Sequence, residues 1–199
     1  MLKPTNKKFA QGNPRHSRLV KTRRSVCRII LCLSLLLWMP ANQFAQSAGE
    51  YEIKAAFLYN FAKFVDWPAE SFTDAGAPLV VGIVGNDPFG SAIDRLLSGK
   101  SANGRPLVVK RLSVGAGLKS CHILFIASSE SGRMAQINGA VRGASVLTVG
   151  DMESFIQFGG VIQLTREANK VGMVINTDLA ERSRLRISSK LLSLAKVVR

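Results

Sequence analysis

Leu79-Val80-Val81-Gly82-Ile83-Val84-Gly85-Asn86-Asp87-Pro88 is the stretch on which the fold class turns. Residues 79–85 are apolar and largely β-branched, too few for a helix and without a polar face, so they read as a strand buried on both sides. Asp87 is then placed to cap a helix and Pro88 to fill its first position, with a run to Ser98 and a stop at Gly99. A buried strand feeding directly into a helix begins a parallel α/β unit.

The alternation continues outward from there. Residues 105–112 read as a second strand after the turn Ala102-Asn103-Gly104, and 122–127 as a third, followed by a helix over 129–141. A fourth strand covers 145–149, and a short helix over 153–158 is ended by Gly159-Gly160. Residues 161–166 and 170–176 flank Glu167-Ala168-Asn169 as a β-hairpin, and 188–198 reads as a final helix. Upstream, 50–65 forms a helix stopped by Trp67-Pro68. Its apolar residues cover more than half its circumference, so it is mostly buried or shared with a partner. The expected fold is an α/β three-layer sandwich with a mostly parallel sheet and an antiparallel edge hairpin near the C-terminus.

The first 47 residues follow different rules. Residues 1–28 carry nine Lys or Arg and no acid, then comes an apolar run from Ile29 to Trp38, then the small polar stretch Ala45-Gln46-Ser47-Ala48. That order is a signal peptide, and the apolar run is shorter than the roughly 20 residues a bilayer span needs. Residues 1–47 are expected to be a cleavable export signal, and 48–199 one domain outside the cytoplasm. Thr22-Arg23-Arg24-Ser25 resembles a twin-arginine motif, but its later positions are altered, and the general secretory route is favoured. Neither Cys27 nor Cys32 sits where a lipoprotein cysteine would.

The full chain is +14, but without the leader 18 basic residues face 13 acids, about +5. The high charge belongs to the export signal, so nucleic acid is not an expected partner, and only weak attraction to an anionic membrane surface remains.

Catalytic groups are scarce after residue 47. His122 and Cys121 are its only histidine and cysteine. As neighbours on a strand they point to opposite faces, so they make neither a nucleophile–base pair nor a metal site. No metal or cofactor is expected. Gly99-Lys100-Ser101 lacks the earlier glycine of a phosphate loop, and Gly82, Gly85 and Gly90 lack dinucleotide spacing. At the expected strand ends stand Asn86, Asp87, Ser128, Ser129 and Asp151, groups able to hold a ligand in the crevice and equally able to cap helices.

Ala55-Ala56-Phe57-Leu58-Tyr59-Asn60-Phe61-Ala62-Lys63-Phe64-Val65-Asp66-Trp67-Pro68 resembles the signature of the YfiR family of periplasmic proteins. Val84-Gly85-Asn86-Asp87-Pro88-Phe89-Gly90, Cys121-His122-Ile123-Leu124-Phe125-Ile126, Val146-Leu147-Thr148-Val149-Gly150-Asp151 and Ile187-Ser188-Ser189-Lys190-Leu191-Leu192 agree with it in order. The resemblance implies a regulator, not an enzyme. It would bind the periplasmic sensor part of an inner-membrane diguanylate cyclase, repress it, lower cyclic di-GMP and so restrain biofilm formation. It also implies dimerisation. Relatives often carry a cysteine where this chain has Gly82, which leaves Cys121 without a partner and puts disulfide control in doubt. Candidate partner-contact residues are Tyr59, Asn60 and Lys63 on the first helix with Trp67 at its end, and Ile162, Glu167 and Met173 on the hairpin. Asn60 and Lys63 also fit a purely structural role. The alternative function is a periplasmic small-ligand sensor acting on another membrane receptor.

Overall fold

The computed structural model describes residues 42–199 except Ala116, Ala168 and Asn169, with side chains from Gly49 onward. Apart from the first two residues of the opening helix, these fall in one unit, Phe44–Arg199. The expected export signal lies almost wholly before residue 42, outside the described residues. Helix α1, Asn42–Phe64, runs through the expected cut after Ser47 and ends one residue short of the expected stop. It passes into a two-residue strand, β1, Val65–Asp66.

Strand β2, Leu79–Val84, is buried at every position, as a continuous apolar run requires when parallel strands lie on both sides of it. Then follow α2, Ser91–Leu97, β3, Ser101–Ala102, and β4, Arg105–Leu112. Strand β5 is Ile123–Ile126, α3 is Met134–Val141 and β6 is Leu147–Gly150. The hairpin is β7, Ile162–Glu167, and β8, Lys170–Asn176. The chain closes with α4, Thr177–Arg182, β9, Arg186–Ile187, α5, Ser189–Leu192, and β10, Lys196–Val198. The main sheet has the order β10-β8-β7-β6-β5-β2-β4-β3 and is mostly parallel. Strand β1 pairs with β9 antiparallel in a separate small sheet.

Alternate residues of each strand feed two cores. Val81, Ile83, Phe125 and Ile162 pack under α1 and α2 through Leu58, Phe61, Ile93 and Leu97. Val80, Val84, Leu124 and Ile126 pack on the other face under α3 through Met134 and Ile137. The three layers follow from that split.

Four local expectations are corrected. The helix after β2 starts at Ser91, not Pro88, because Asp87 accepts a hydrogen bond from the Phe89 N–H at 2.7 Å and pairs with Arg111. Before α3, residues Ser128–Arg133 form a 3-10 turn where regular helix was expected. Residues 153–158 are a chain of turns that carries Phe155 into the core. There its ring packs against both Gly150 and Gly160, where a Cβ would collide with it. The expected final helix is a single turn, after which Val197 and Val198 join β8 as a parallel strand. The hairpin therefore lies one short strand inside the rim of the sheet.

Candidate functional site

The crevice at the carboxyl ends of the strands comes first, since β2 is flanked by β4 and β5 and the chain switches direction there. Asn86 and Asp87 leave β2 beside Ser128 and Ser129, which leave β5. The Asn86 N–H donates to Ser129 Oγ at 2.9 Å. Gly85 has φ +94°, and a Cβ there would sit 2.6 Å from Ser129 Oγ and 2.7 Å from Glu130 Cγ. The loop after β5 thus packs directly onto the loop after β2. Asp87 is held by Arg111 Nε at 2.8 Å, and Arg111 also grips Asp94 at 2.7 Å. That hydrogen bond holds the Asp94 carboxyl below its ordinary range.

Asp151, at the end of β6, is joined to α1. Tyr51 Oη donates to it at 2.9 Å and Lys54 Nζ lies at 2.6 Å. Lys54 is only 4% exposed and also pairs with Glu50 at 2.7 Å, while Arg166 of β7 reaches Glu50 at 3.1 Å. Burial, then the Asp151 charge, pushes the Tyr51 phenol far above its usual value. Nearby, Tyr51, Asp87, Phe89 and Arg95 border an open cleft of about 600 Å³. Asp87 is thus held by Arg111, Asp151 by α1, and Ser129 Oγ by the Asn86 N–H.

At the opposite end of the sheet stands His122. The Val80 N–H donates to its Nδ1 at 3.1 Å, so Nε2 carries the proton and donates to the Ser71 carbonyl at 3.1 Å. Phe72 stacks on the imidazole at 4.2 Å, and Trp67 Nε1 donates to the His122 carbonyl at 3.1 Å. Arg105 covers the other part of Phe72, 3.6 Å from its ring centre, and donates to the Asp74 and Ala77 carbonyls. Burial lowers the His122 pKa, with the Arg105 charge adding to it, so the ring is neutral. Beneath these groups is a pocket of about 300 Å³ bordered by Trp67, Phe72, Asn103 and Arg105. Cys121 is buried, and burial pushes its thiol up to about 11. Neither group is poised as nucleophile or base. Among the described residues no His, Cys, Asp and Glu gather in a set able to hold a metal.

The partner-contact candidates separate into two places. Tyr59 is half-buried between Lys63, 5.5 Å from its ring centre, and Lys100, 4.8 Å away. Asn60 and Lys63 are exposed and Trp67 is half-buried. The hairpin lies toward the other end of the sheet, so the two sets do not form one surface. Glu167 is exposed at the hairpin tip. Ile162 and Met173 correct the expectation: both are buried core residues that a partner docking on the folded domain does not touch.

Residues 51–196 match the family described as YfiR/HmsC-like. The chain belongs to the YfiR/HmsC-like family. Members of this family are periplasmic and regulatory rather than catalytic, acting in cyclic di-GMP signalling through a membrane signalling protein. No curated protein matches the chain significantly. Among solved structures it is similar to a conserved domain protein of Vibrio cholerae, at 15% identity and a TM-score of 0.47, over 61% of this chain and 55% of that one. It is also similar to the ABC domain in complex with L-Trp from Streptococcus pneumonia, at 8% identity and a TM-score of 0.47, over 60% of this chain and 55% of that one. Among the described residues no helix is long and apolar enough to cross a membrane.

Within this YfiR/HmsC-like domain the least legible residues are those that hold the ends together. His122 bonds to residues 42 and 51 positions away, and Lys54 to one 97 away, separations at which no spacing rule operates. Lys54 did leave one trace: with Leu58 and Phe61 it occupies the i, i+4, i+7 stripe that α1 buries, a charge on an apolar face.

Proposed function

We propose that this protein binds the periplasmic sensor region of an inner-membrane diguanylate cyclase and holds the cyclase inactive, keeping cyclic di-GMP low and restraining biofilm formation. Family membership across nearly the whole described domain is the observation that carries this reading. The chemistry of the described residues agrees with it. The neutral, clamped His122 and the inert Cys121 serve packing, and the crevice carboxylates Asp87 and Asp151 are held by Arg111 and Lys54. The contact surface in this reading is the end of α1 and the residue that follows β1, where Tyr59, Asn60, Lys63 and Trp67 offer aromatic area with basic and amide groups.

The test is deletion of the gene in a host that has such a cyclase. Cyclic di-GMP should rise several-fold and return when the exported form is restored. Unchanged cyclic di-GMP would overturn the repressor reading. The second reading, a small-ligand sensor for another receptor, then takes its place, and it attaches to the 300 Å³ pocket under Trp67 and Phe72 rather than to the crevice. Its mark would be a metabolite co-purifying in stoichiometric amount and lost from a Phe72→Ala variant.

A further inference from the structure

The C-terminal stretch of the domain carries side-chain charge of one sign. Residues 185–199 hold Arg186, Lys190, Lys196 and Arg199 and no acid. All four are exposed, and among the described residues none is ion-paired. Arg186 stands opposite Asp66 in register, so the net positive charge resides on the other three.

Their placement is local. The turn of α5 is closed by the Leu194 N–H on the Leu191 carbonyl and the Ala195 N–H on the Leu192 carbonyl, after which the chain enters β10 at the rim of the sheet. Lys190, Leu194 and Lys196 are thereby gathered at one corner. Leu194 is 73% exposed, the most exposed large apolar side chain among the described residues, and Val197 beside it is 44% exposed. Leu194 and Val197 are thus exposed apolar side chains with Lys190 and Lys196 close by in the chain.

We propose that this corner docks the protein on an anionic phospholipid surface. A lipid surface takes diffuse positive charge together with shallow insertion of an apolar side chain, which is the combination present. An acidic protein partner fits less well, since the exposed apolar group is a leucine, a side chain under-represented among protein hot spots, and residues 185–199 contain no aromatic residue. Docking would hold the domain at the membrane plane, raising its effective concentration near a membrane-bound partner. The inference stands apart from the repressor reading, because vesicle binding needs no cyclase.

Protein purified from the periplasm should be sedimented with vesicles of phosphatidylglycerol and phosphatidylcholine in equal parts, and with phosphatidylcholine alone, at rising salt. It should sediment with the anionic vesicles only, and less as salt screens the charges. Each lysine near such a surface is worth about a factor of five, so Lys190→Ala with Lys196→Ala should weaken binding roughly 25-fold. Leu194→Ser should weaken it about fivefold at every salt concentration, because its contribution is apolar. Lys110→Ala with Lys119→Ala removes the same charge from the other end of the sheet and should leave binding within about twofold. No sedimentation with anionic vesicles at low salt would overturn the inference. Equal losses for the two lysine pairs would do so too, showing attraction without a docking corner.

Discussion

His122 is a buried imidazole with both nitrogens committed, one to a strand and one to the loop that carries Trp67 and Phe72. Burial lowers its folded pKa, so the unfolded chain takes up a proton near pH 6.5 that the folded chain refuses. Stability from this group is therefore full above the unfolded pKa and is lost as pH falls toward the folded one. The urea midpoint should drop between about pH 7 and pH 5, and a His122→Asn variant, weaker overall, should show a flatter dependence over that window. An equal slope in both proteins would assign the acid sensitivity elsewhere. The neighbouring Cys121 carries a second consequence. A Cβ at Gly82 would lie 2.5 Å from Cys121 Sγ, so the missing side chain is what gives the thiol its room. Gly82→Cys should bring two sulfurs within bonding reach after a small shift and form an internal disulfide in air, read as the loss of both free thiols after denaturation. Persistent free thiols would show that the strand ends hold the residues apart.

Elements were legible where one apolar run served one role. Strands β2, β5 and β6 stand within a residue or two of their expected places because a run buried on both faces has no other stable use, and β4 and the hairpin match as closely on their β-branched runs and turn residues. Residues 153–158 and 196–198 were misread because their local propensity was overridden from a distance. Phe155 had to turn between Gly150 and Gly160, and Val197 and Val198 found the open edge of β8. For the candidate site, sequence position named Asp151 but not its role, since the lysine that holds it comes from α1, 97 residues earlier. The Lys54–Asp151 pair, beside the Tyr51 and Arg166 contacts, ties that helix to the sheet. Lys54→Met leaves a buried carboxylate unpaired and should cost about 3–5 kcal/mol, while Lys54→Met combined with Asp151→Leu should recover most of it. Urea denaturation of both variants measures the difference. A double variant as unstable as the single one would mean that the pair acts through contacts beyond their mutual charge.

The whole molecule is organised by where its charge and its apolar run are placed. Nine basic residues and a short apolar run occupy the first 38 positions, whereas the domain that follows mixes 18 basic and 13 acidic residues. We propose that these are two jobs on one chain, export and then folding, divided by a cut after Ser47 or Ala48. It would also shorten α1 from its Asn42 start and bring Glu50 and Glu52 into the first turn, where carboxylates favour the helix N-terminus. The form isolated from the periplasm should therefore begin at Ala48 or Gly49, with an intact mass lacking the leader. Complementation then tests place and function together. In a strain deleted for the gene, the full-length chain should lower cyclic di-GMP, and a version lacking residues 1–47 should not, although both contain the same domain. Equal circular dichroism and melting of the two purified domains removes misfolding as the cause. If the leaderless copy complemented as well as the full chain, the protein would be acting from the cytoplasm. A periplasmic sensor region could then not be its target.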